Sequence, residues 1–166
     1  MSNALRFDPL LVCRLAEELD QRLRGRECAA APFFAADRSV SLALRGREEL
    51  RAELHPSRGF FRILPAPDDD DTGLDAVIER VSAPTDERVL EIHLREEGRF
   101  RSGSRSIVFE LATNQWNVIV RGDDGRIVSV LNARRSGERS LYAGVPYLPP
   151  PGVERFGAGN TSRDEA

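Results

Sequence analysis

Few residues of this chain have the types and the spacing that catalysis or metal binding requires. The two cysteines, Cys13 and Cys28, and the two histidines, His55 and His93, are scattered along the sequence and form no zinc-binding pattern. We interpret both cysteines as reduced, structural thiols. His55 precedes a proline in a turn, where we predict a structural role. His93 is predicted to face solvent from the polar side of a strand.

Two other segments have the residue types of an ion-binding site. Residues 101–105 read Arg-Ser-Gly-Ser-Arg and could hold a phosphate, but the pattern favours a solvated turn between strands because no helix follows it. The four consecutive aspartates of Asp68–Asp71 could bind a divalent cation. They lack the ligand spacing of a calcium loop, so we interpret them as a solvated acidic loop.

The carboxylates beside Arg88 do not form an acid–base pair either. Asp86 and Glu87 are adjacent, and adjacent residues of a strand point to opposite faces. No serine lies in a Gly-x-Ser-x-Gly elbow. We therefore predict that the protein is not an enzyme and uses no metal or cofactor.

We predict one long helix as the first of the elements that position any site. Asp8 is a suitable N-cap, Pro9 suits the first helical position, and Gly25 follows the last turn. Leucines recur between them at four-residue spacing and predict one apolar stripe: Leu11, Leu15, Leu19 and Leu23.

Strands follow the helix. Apolar patterns predict them over residues 28–34, 39–44, 50–54 and 60–64, with a helical turn running into a strand over 74–81. From Arg88 to Val120 the alternation predicts an antiparallel meander with one face toward the core and one toward solvent, followed by a hairpin turn at residues 123–125. We predict an α+β domain over residues 7–151, with the helix packed on antiparallel sheets arranged as a sandwich or flattened barrel. Residues 152–166 have no core-forming content and predict a disordered tail or a linker to absent downstream domains.

Composition restricts the class of protein. Charged residues make up 31 % and hydrophobic residues 40 % of the 166 residues, as in soluble globular proteins. The net charge of −3 argues weakly against a dedicated nucleic-acid binder, yet residues 99–139 hold eight arginines and four acids, a net +4. Every basic residue is arginine, which suits phosphate contacts and base stacking, although a GC-rich genome would explain the same bias. No apolar run reaches the roughly 18 residues of a membrane span and no signal peptide is evident, so we expect a cytoplasmic protein.

A series of short motifs resembles one family when it is read in order. The motifs are Asp8-Pro9 through Gly25, His55-Pro56-Ser57, Arg62-Ile63, Pro84 through Leu94, Glu110-Leu111, Asn117 through Val120, Asp124 through Ile127, and Gly144 through Tyr147 followed by prolines. Together they resemble the N-terminal domain of NFACT proteins, the ribosome-associated quality-control factors also known as fibronectin-binding A proteins. The resemblance covers about 140 residues, from Phe7 to Pro151.

This resemblance implies a non-catalytic domain that contacts tRNA and the large ribosomal subunit during tailing of stalled nascent chains. It assigns nucleic-acid contact to Asp8, Glu87 and Arg88, to which we add Arg62 and Asn117 from the matching motifs. A protein-interaction or fibronectin-binding-like module that has lost RNA binding is the alternative. The family's fold is similar to the N-terminal domain of formamidopyrimidine-type DNA glycosylases, but these need an N-terminal Pro-Glu. Because this sequence begins Met-Ser, we expect no glycosylase chemistry.

Three departures from the family pattern bear on RNA binding. Glu87 replaces the usual aspartate before Arg88, and Thr113 through Trp116 replace a segment that contains a basic residue. A basic helix expected between Leu64 and Ile78 is replaced by the acidic stretch. Its loss would remove phosphate contacts, so a domain that keeps the fold without binding RNA is a third possibility.

Overall fold

The helix at the start of the chain has the predicted boundaries. The computed structural model describes residues 7–66, 73–98, 101–112, 116–136 and 139–151. Helix α1 spans Pro9–Leu23, and the Oδ1 atom of Asp8 accepts a hydrogen bond of 2.8 Å from the backbone N–H of Leu11. The buried stripe differs from the predicted row of leucines, because positions 12, 16, 19 and 23 follow the 3.6-residue period more closely than a strict four-residue spacing does. Its members are Val12, Ala16, Leu19 and Leu23.

Twelve strands follow within the described ranges. They are β1 (Glu27–Cys28), β2 (Phe33–Phe34), β3 (Ser39–Leu44), β4 (Glu48–Glu53), β5 (Phe60–Pro65), β6 (Ala76–Ser82), β7 (Val89–Gly98), β8 (Arg101–Glu110), β9 (Asn117–Arg121), β10 (Ile127–Val130), β11 (Arg134–Ser136) and β12 (Arg139–Leu141). Strands β1 to β10 form one antiparallel sheet in the order β10-β9-β8-β7-β6-β1-β3-β4-β5, with β2 paired to β3. Strands β11 and β12 form a separate hairpin.

The large sheet curls over the core that it shares with α1. Phe61 on β5 and Phe109 on β8 are separated by five strands in the sheet order, yet their ring centroids lie 5.1 Å apart in an edge-to-face contact. Among the described residues no pairing joins β10 to β5, so the curled sheet is not closed. The predicted α+β class, with a long N-terminal helix on antiparallel sheet, is confirmed. The described part of the chain contains no helix that is both long and apolar enough to cross a membrane.

Some predicted strand boundaries were wrong. The single strand predicted over residues 28–34 is two short strands, β1 and β2, which pair with different parts of β3. Residues 101–105 begin β8 and are not a turn, because β7 continues to Gly98. The helical turn expected near residue 74 is replaced by the extended start of β6. Asp75 fixes that start, since its carboxylate accepts from the N–H of Ala30 at 2.8 Å and its carbonyl from the N–H of Glu97 at 2.8 Å.

The predicted solvent-facing side of the meander was also wrong. Val108 and Ile119 point away from α1, and both are buried in a second apolar cluster with Val89, Ile127 and Leu141. The β11–β12 hairpin and the segment around Tyr147 cover this face. The second half of β8 and residues 117–120 of β9 are therefore buried on both faces, which a period-two pattern does not indicate. The predicted acidic loop and the predicted tail, residues 68–71 and 152–166, lie outside the described residues.

Candidate nucleic-acid interface

Most residues that the sequence marked for RNA contact lie at one end of the sheet. Strands β7 and β9 begin at this end and β8 finishes there, since Val89 pairs with Glu110 and Glu110 with Asn117. The start of α1, the loop between β6 and β7, and the turn between β4 and β5 lie at the same end. Local contacts fix each of these segments.

Asp8 is held in place from both sides. The preceding residue, Phe7, is buried and packs edge-to-face on Trp116, with 4.9 Å between ring centroids. One carboxylate oxygen of Asp8 caps α1. The residue is exposed, so the carboxylate remains accessible to a partner while it caps the helix.

The loop that carries Glu87 and Arg88 lies against α1. The thiol of Cys13, about one and a half turns after Asp8, lies 3.6 Å from the carbonyl oxygen of Pro84. The carbonyl of Arg88 accepts from the N–H of Leu111 at 2.8 Å, which ties the loop to the end of β8. Glu87 and Arg88 are both half-buried. The structure therefore brings Asp8, Glu87 and Arg88 to one end of the domain.

The other two predicted residues lie elsewhere. Arg62 is on β5, exposed, with its guanidinium carbon 4.4 Å from the ring centroid of Phe60. Asn117 is fully buried, and its Oδ1 accepts from the N–H of Asn132 at 2.9 Å while its Nδ2 donates to the Asn132 carbonyl at 2.9 Å. These bonds join β9 to the segment after β10. Its position favours a structural role for Asn117.

Trp116 packs beneath this end of the sheet. Its carbonyl accepts from the guanidinium of Arg38 at 3.0 Å, and its indole lies against Gly59 in the turn between β4 and β5. In that turn the hydroxyl of Ser57 lies 3.0 Å from Nδ1 of His55, a contact that is consistent with a structural role. The Trp116 side chain thereby connects the helix start, the turn and β9.

Both cysteines are free, as the sequence indicated. Burial, with smaller contributions from Glu17 and Asp86, raises the pKa of the Cys13 thiol. Burial raises the pKa of Cys28 to about 12. Neither thiol is therefore an activated nucleophile at neutral pH. Among the described residues no group of three or more histidine, cysteine or acidic side chains is placed to hold a metal ion.

Sequence reasoning missed a buried ion pair on the second face of the sheet. The Glu110 carboxylate is 3 % exposed and forms an ion pair with the guanidinium of Arg139. The hydroxyl of Tyr147 donates to Glu110 Oε1 at 2.9 Å, and Nε of Arg139 donates to the carbonyl of Leu148 at 2.7 Å. Burial and the adjacent carboxylate raise the pKa of the Tyr147 hydroxyl, which keeps it a donor. The cluster holds the proline-rich exit against the sheet. The Gly-Val-Pro-Tyr motif was the only signal for it in the sequence.

The predicted exposure of His93 was wrong. Its side chain is 18 % exposed, and its Nε2 lies 2.9 Å from the hydroxyl of Ser82. Burial lowers the pKa of His93, an effect that Arg80 and Arg121 reinforce, while Glu91 and Glu79 oppose it. This shift favours the neutral form of the His93 imidazole in the folded protein.

We expect His93 to make stability fall as the solution becomes acidic. Its folded-state pKa lies below the unfolded value of about 6.5, so the unfolded chain binds more protons in the interval between the two values. The free energy of unfolding should be highest above about pH 6.5 and decrease as the pH falls through the folded-state pKa. Urea unfolding at pH 7.5 and pH 5.5 measures this difference. His93→Gln should reduce it, and His55→Gln, a change in an exposed turn, is the matched control. An unchanged difference in His93→Gln would contradict this assignment.

Solved structures with the same fold support the architecture. The N-terminal domain of the fibronectin-binding protein PavA from Streptococcus pneumoniae matches with a TM-score of 0.71 and 18 % identity over 87 % of this chain and 62 % of that one. The fibrinogen-binding protein from Staphylococcus aureus matches with a TM-score of 0.70 and 17 % identity over 89 % of this chain and 57 % of that one. The N-terminal part of the fibronectin/fibrinogen-binding protein from Streptococcus suis matches with a TM-score of 0.73 and 17 % identity. The match covers 89 % of this chain and 62 % of that one.

These comparisons establish the fold alone. No protein-family model and no curated protein matches the sequence. This chain spans about 60 % of the length of the solved chains it resembles. The likeness agrees with the resemblance to fibronectin-binding A proteins that the motifs indicated. The chain has the fold found in N-terminal domains of fibronectin- and fibrinogen-binding proteins.

Proposed function

We propose that this domain binds RNA without catalysing a reaction, as the first domain of a cytoplasmic ribosome-associated quality-control factor that contacts tRNA and the large ribosomal subunit. One observation carries the proposal: Asp8, Glu87 and Arg88 lie at the same end of the fold. The sequence motifs assigned these residues to nucleic-acid contact without using their places in the fold. The motif resemblance supplies the partner, and the shared fold is consistent with it.

The cations at this end are available for phosphate groups. Arg58 is exposed in the turn between β4 and β5, and Arg88 is half-buried in the loop before β7. Neither forms an ion pair with another described residue, whereas arginines such as Arg95 and Arg139 do. An arginine without a carboxylate partner can contact a phosphate without first breaking an ion pair.

The carboxylates would contribute selectivity and little affinity. Asp8 and Glu87 repel phosphate, so in an RNA complex they suit hydrogen-bond donors on base edges or ribose hydroxyls. Arg88 beside Glu87 would bind the backbone or a base. This mixture of charges fits a recognition site for particular nucleotides better than a general polyanion surface.

We expect Arg88→Ala to weaken tRNA binding by about tenfold or more, the effect of losing one charge-assisted contact. Binding of fluorescent tRNA at 50 and 200 mM salt measures this loss. The slope of log binding constant against log salt concentration should become shallower by about 1, the value for one phosphate contact. Arg95→Ala is the matched control, since it removes an exposed arginine from the other end of β7. Equal losses in both variants would indicate a general charge effect.

Asp8 needs a variant that preserves the helix. Asp8→Ala removes the cap and costs about 1 kcal/mol in stability, whereas asparagine caps as well as aspartate. Asp8→Asn therefore removes the charge alone. Absence of tRNA binding at 50 mM salt by the unmodified chain would contradict the proposal.

A second function is favoured by the proteins that share this fold, which are described as binding fibronectin or fibrinogen. The same chain should be tested on immobilised fibronectin. Binding there, with no affinity for tRNA, would identify a protein-interaction module instead.

A further inference from the structure

The outer face of strands β2 to β5 carries an aligned row of side chains. Register places Phe33 opposite Ser41, Ser41 opposite Arg51, and Arg51 opposite Arg62. Directly opposed residues of an antiparallel sheet project from the same face. The four side chains therefore cross the sheet in one line, over three strand spacings of about 4.8 Å each, or about 14 Å in all.

Phe33 stands at one end of this row with its ring in solvent. It is 70 % exposed, whereas its neighbour Phe34 points toward the core and is partly buried there. Beside it lies an open groove of about 540 Å³, lined in part by small side chains such as Ala29 and Ala43 and also by Glu48 and Glu49. An exposed ring beside an open groove leaves room for a second planar ring to stack on it.

The other end of the row is cationic. The Arg62 guanidinium lies over the ring of Phe60 at 4.4 Å and forms no ion pair with a described residue. Arg51 is 35 % exposed and lies 3.6 Å from a carboxylate oxygen of Asp37 and 3.8 Å from one of Glu49, both long contacts. Arginine planes stack on bases and also contact phosphates.

The anions on this face lie beside the row and not in it. Glu49 opposes Leu64 in the adjacent row on one side, and Glu53 opposes Phe60 in the adjacent row on the other. The row itself thus contains two cations, one hydroxyl and one aromatic ring. Its charge complements a chain of phosphates that crosses the strands, and a polypeptide interface would have fewer charged residues at its centre.

We propose that this face binds unpaired nucleotides of RNA, with one base stacked on Phe33 above the groove and the backbone running past Arg51 to Arg62. The inference rests on the proposed RNA-binding function and adds to it a second contact surface and the kind of RNA taken there. Stacking on an open sheet face tolerates every base, so the expected preference is for single strands over duplexes.

The test is binding of the full chain to a fluorescent decamer of uridine at 50 mM salt. Phe33→Ala should weaken it by between about 5-fold and about 100-fold, the range for loss of one stacked base. Phe33→Trp should retain binding, whereas Phe33→Leu should lose nearly as much as Phe33→Ala because it keeps apolar bulk without a π face. Val128→Ala is the matched control, because Val128 is also an exposed apolar side chain, 46 % exposed, but lies on β10 at the opposite edge of the sheet. Arg62→Ala should make the slope of log binding constant against log salt concentration shallower by about 0.7, the value for one phosphate contact on a single strand.

Several results would overturn the inference. Decamer binding that Phe33→Ala leaves unchanged would do so, as would full binding by Phe33→Leu, which would indicate an apolar contact with protein. Dimerisation in sedimentation that Phe33→Ala abolishes would assign the face to a second copy of the chain. If tRNA binds in an Arg88-dependent way and the decamer does not bind, this inference fails and the proposed function stands. If the decamer binds through Phe33 and tRNA does not bind, the proposed function fails and this surface stands.

Discussion

Arg139→Ala should lower the free energy of unfolding by about 3–5 kcal/mol, the usual cost of leaving one member of a buried ion pair without its partner. Glu110 is 3 % exposed, so its carboxylate cannot recover hydration when the guanidinium is removed. Tyr147 alone would remain as its hydrogen-bond donor among the side chains described. Urea unfolding followed by circular dichroism measures the loss.

Two further variants separate the cost of leaving Glu110 without its partner from the contribution of the ion pair to stability. Glu110→Gln keeps the shape of the side chain and one acceptor for Tyr147, so its loss should be smaller than that of Arg139→Ala. The double variant Glu110→Gln with Arg139→Ala removes both charges and should lose clearly less stability than the sum of the two single losses. Additive losses would show that the two side chains do not interact as described.

This ion pair also shows where sequence reasoning reached its limit. Glu110 and Arg139 are 29 positions apart, and each resembles any charged residue at a strand end. Their pairing depends on the β11–β12 hairpin, whose strands have three residues each and no alternating pattern. Strands this short are stabilised by packing against the rest of the protein. The local sequence pattern carries no information about that packing.

The elements that could be predicted are those whose signals are local. The N-cap, the proline after it and the glycine beyond Leu23 fixed the limits of α1, because each acts within one turn. Strand β3 was predicted at its observed residues, since Val40, Leu42 and Leu44 are buried on one face while Ser41 and Ala43 on the other face are more exposed. Strand β9 has four consecutive buried residues. A strand buried on both faces shows no alternation of polar and apolar residues from which its exposed face could be predicted.

The candidate site divides in the same way. Asp8, Glu87 and Arg88 came from motif order, and only the fold shows that α1 and the loop before β7 lie together. Asn117 belongs to an equally good motif, yet it is buried, because a motif position records that a residue matters and not whether it matters for binding or for packing. The row from Phe33 to Arg62 depends on strand register, to which no single segment of the sequence points.

Gly59→Ala should destabilise the end of the domain that carries the proposed tRNA site. A β-carbon at Gly59 would lie 2.0 Å from Cζ3 and 2.4 Å from Cη2 of Trp116, and 2.8 Å from the carbonyl oxygen of His55. The indole cannot swing away because it is buried against Phe7. We expect a loss of about 1–3 kcal/mol or somewhat more, the usual cost of forcing extra volume into a packed site.

Trp116 provides both the probe and the control for this prediction. It is the single tryptophan of the chain, so a displaced indole should change the fluorescence of folded Gly59→Ala. Trp116→Phe lacks the two outer ring carbons that the new methyl group would meet, so the double variant, followed by circular dichroism, should lose less than the sum of the single losses. Because Phe7 precedes Asp8, tRNA affinity should fall together with stability in Gly59→Ala and recover partly in the double variant. Unchanged affinity in a destabilised Gly59→Ala would mean that RNA is held away from this end of the sheet.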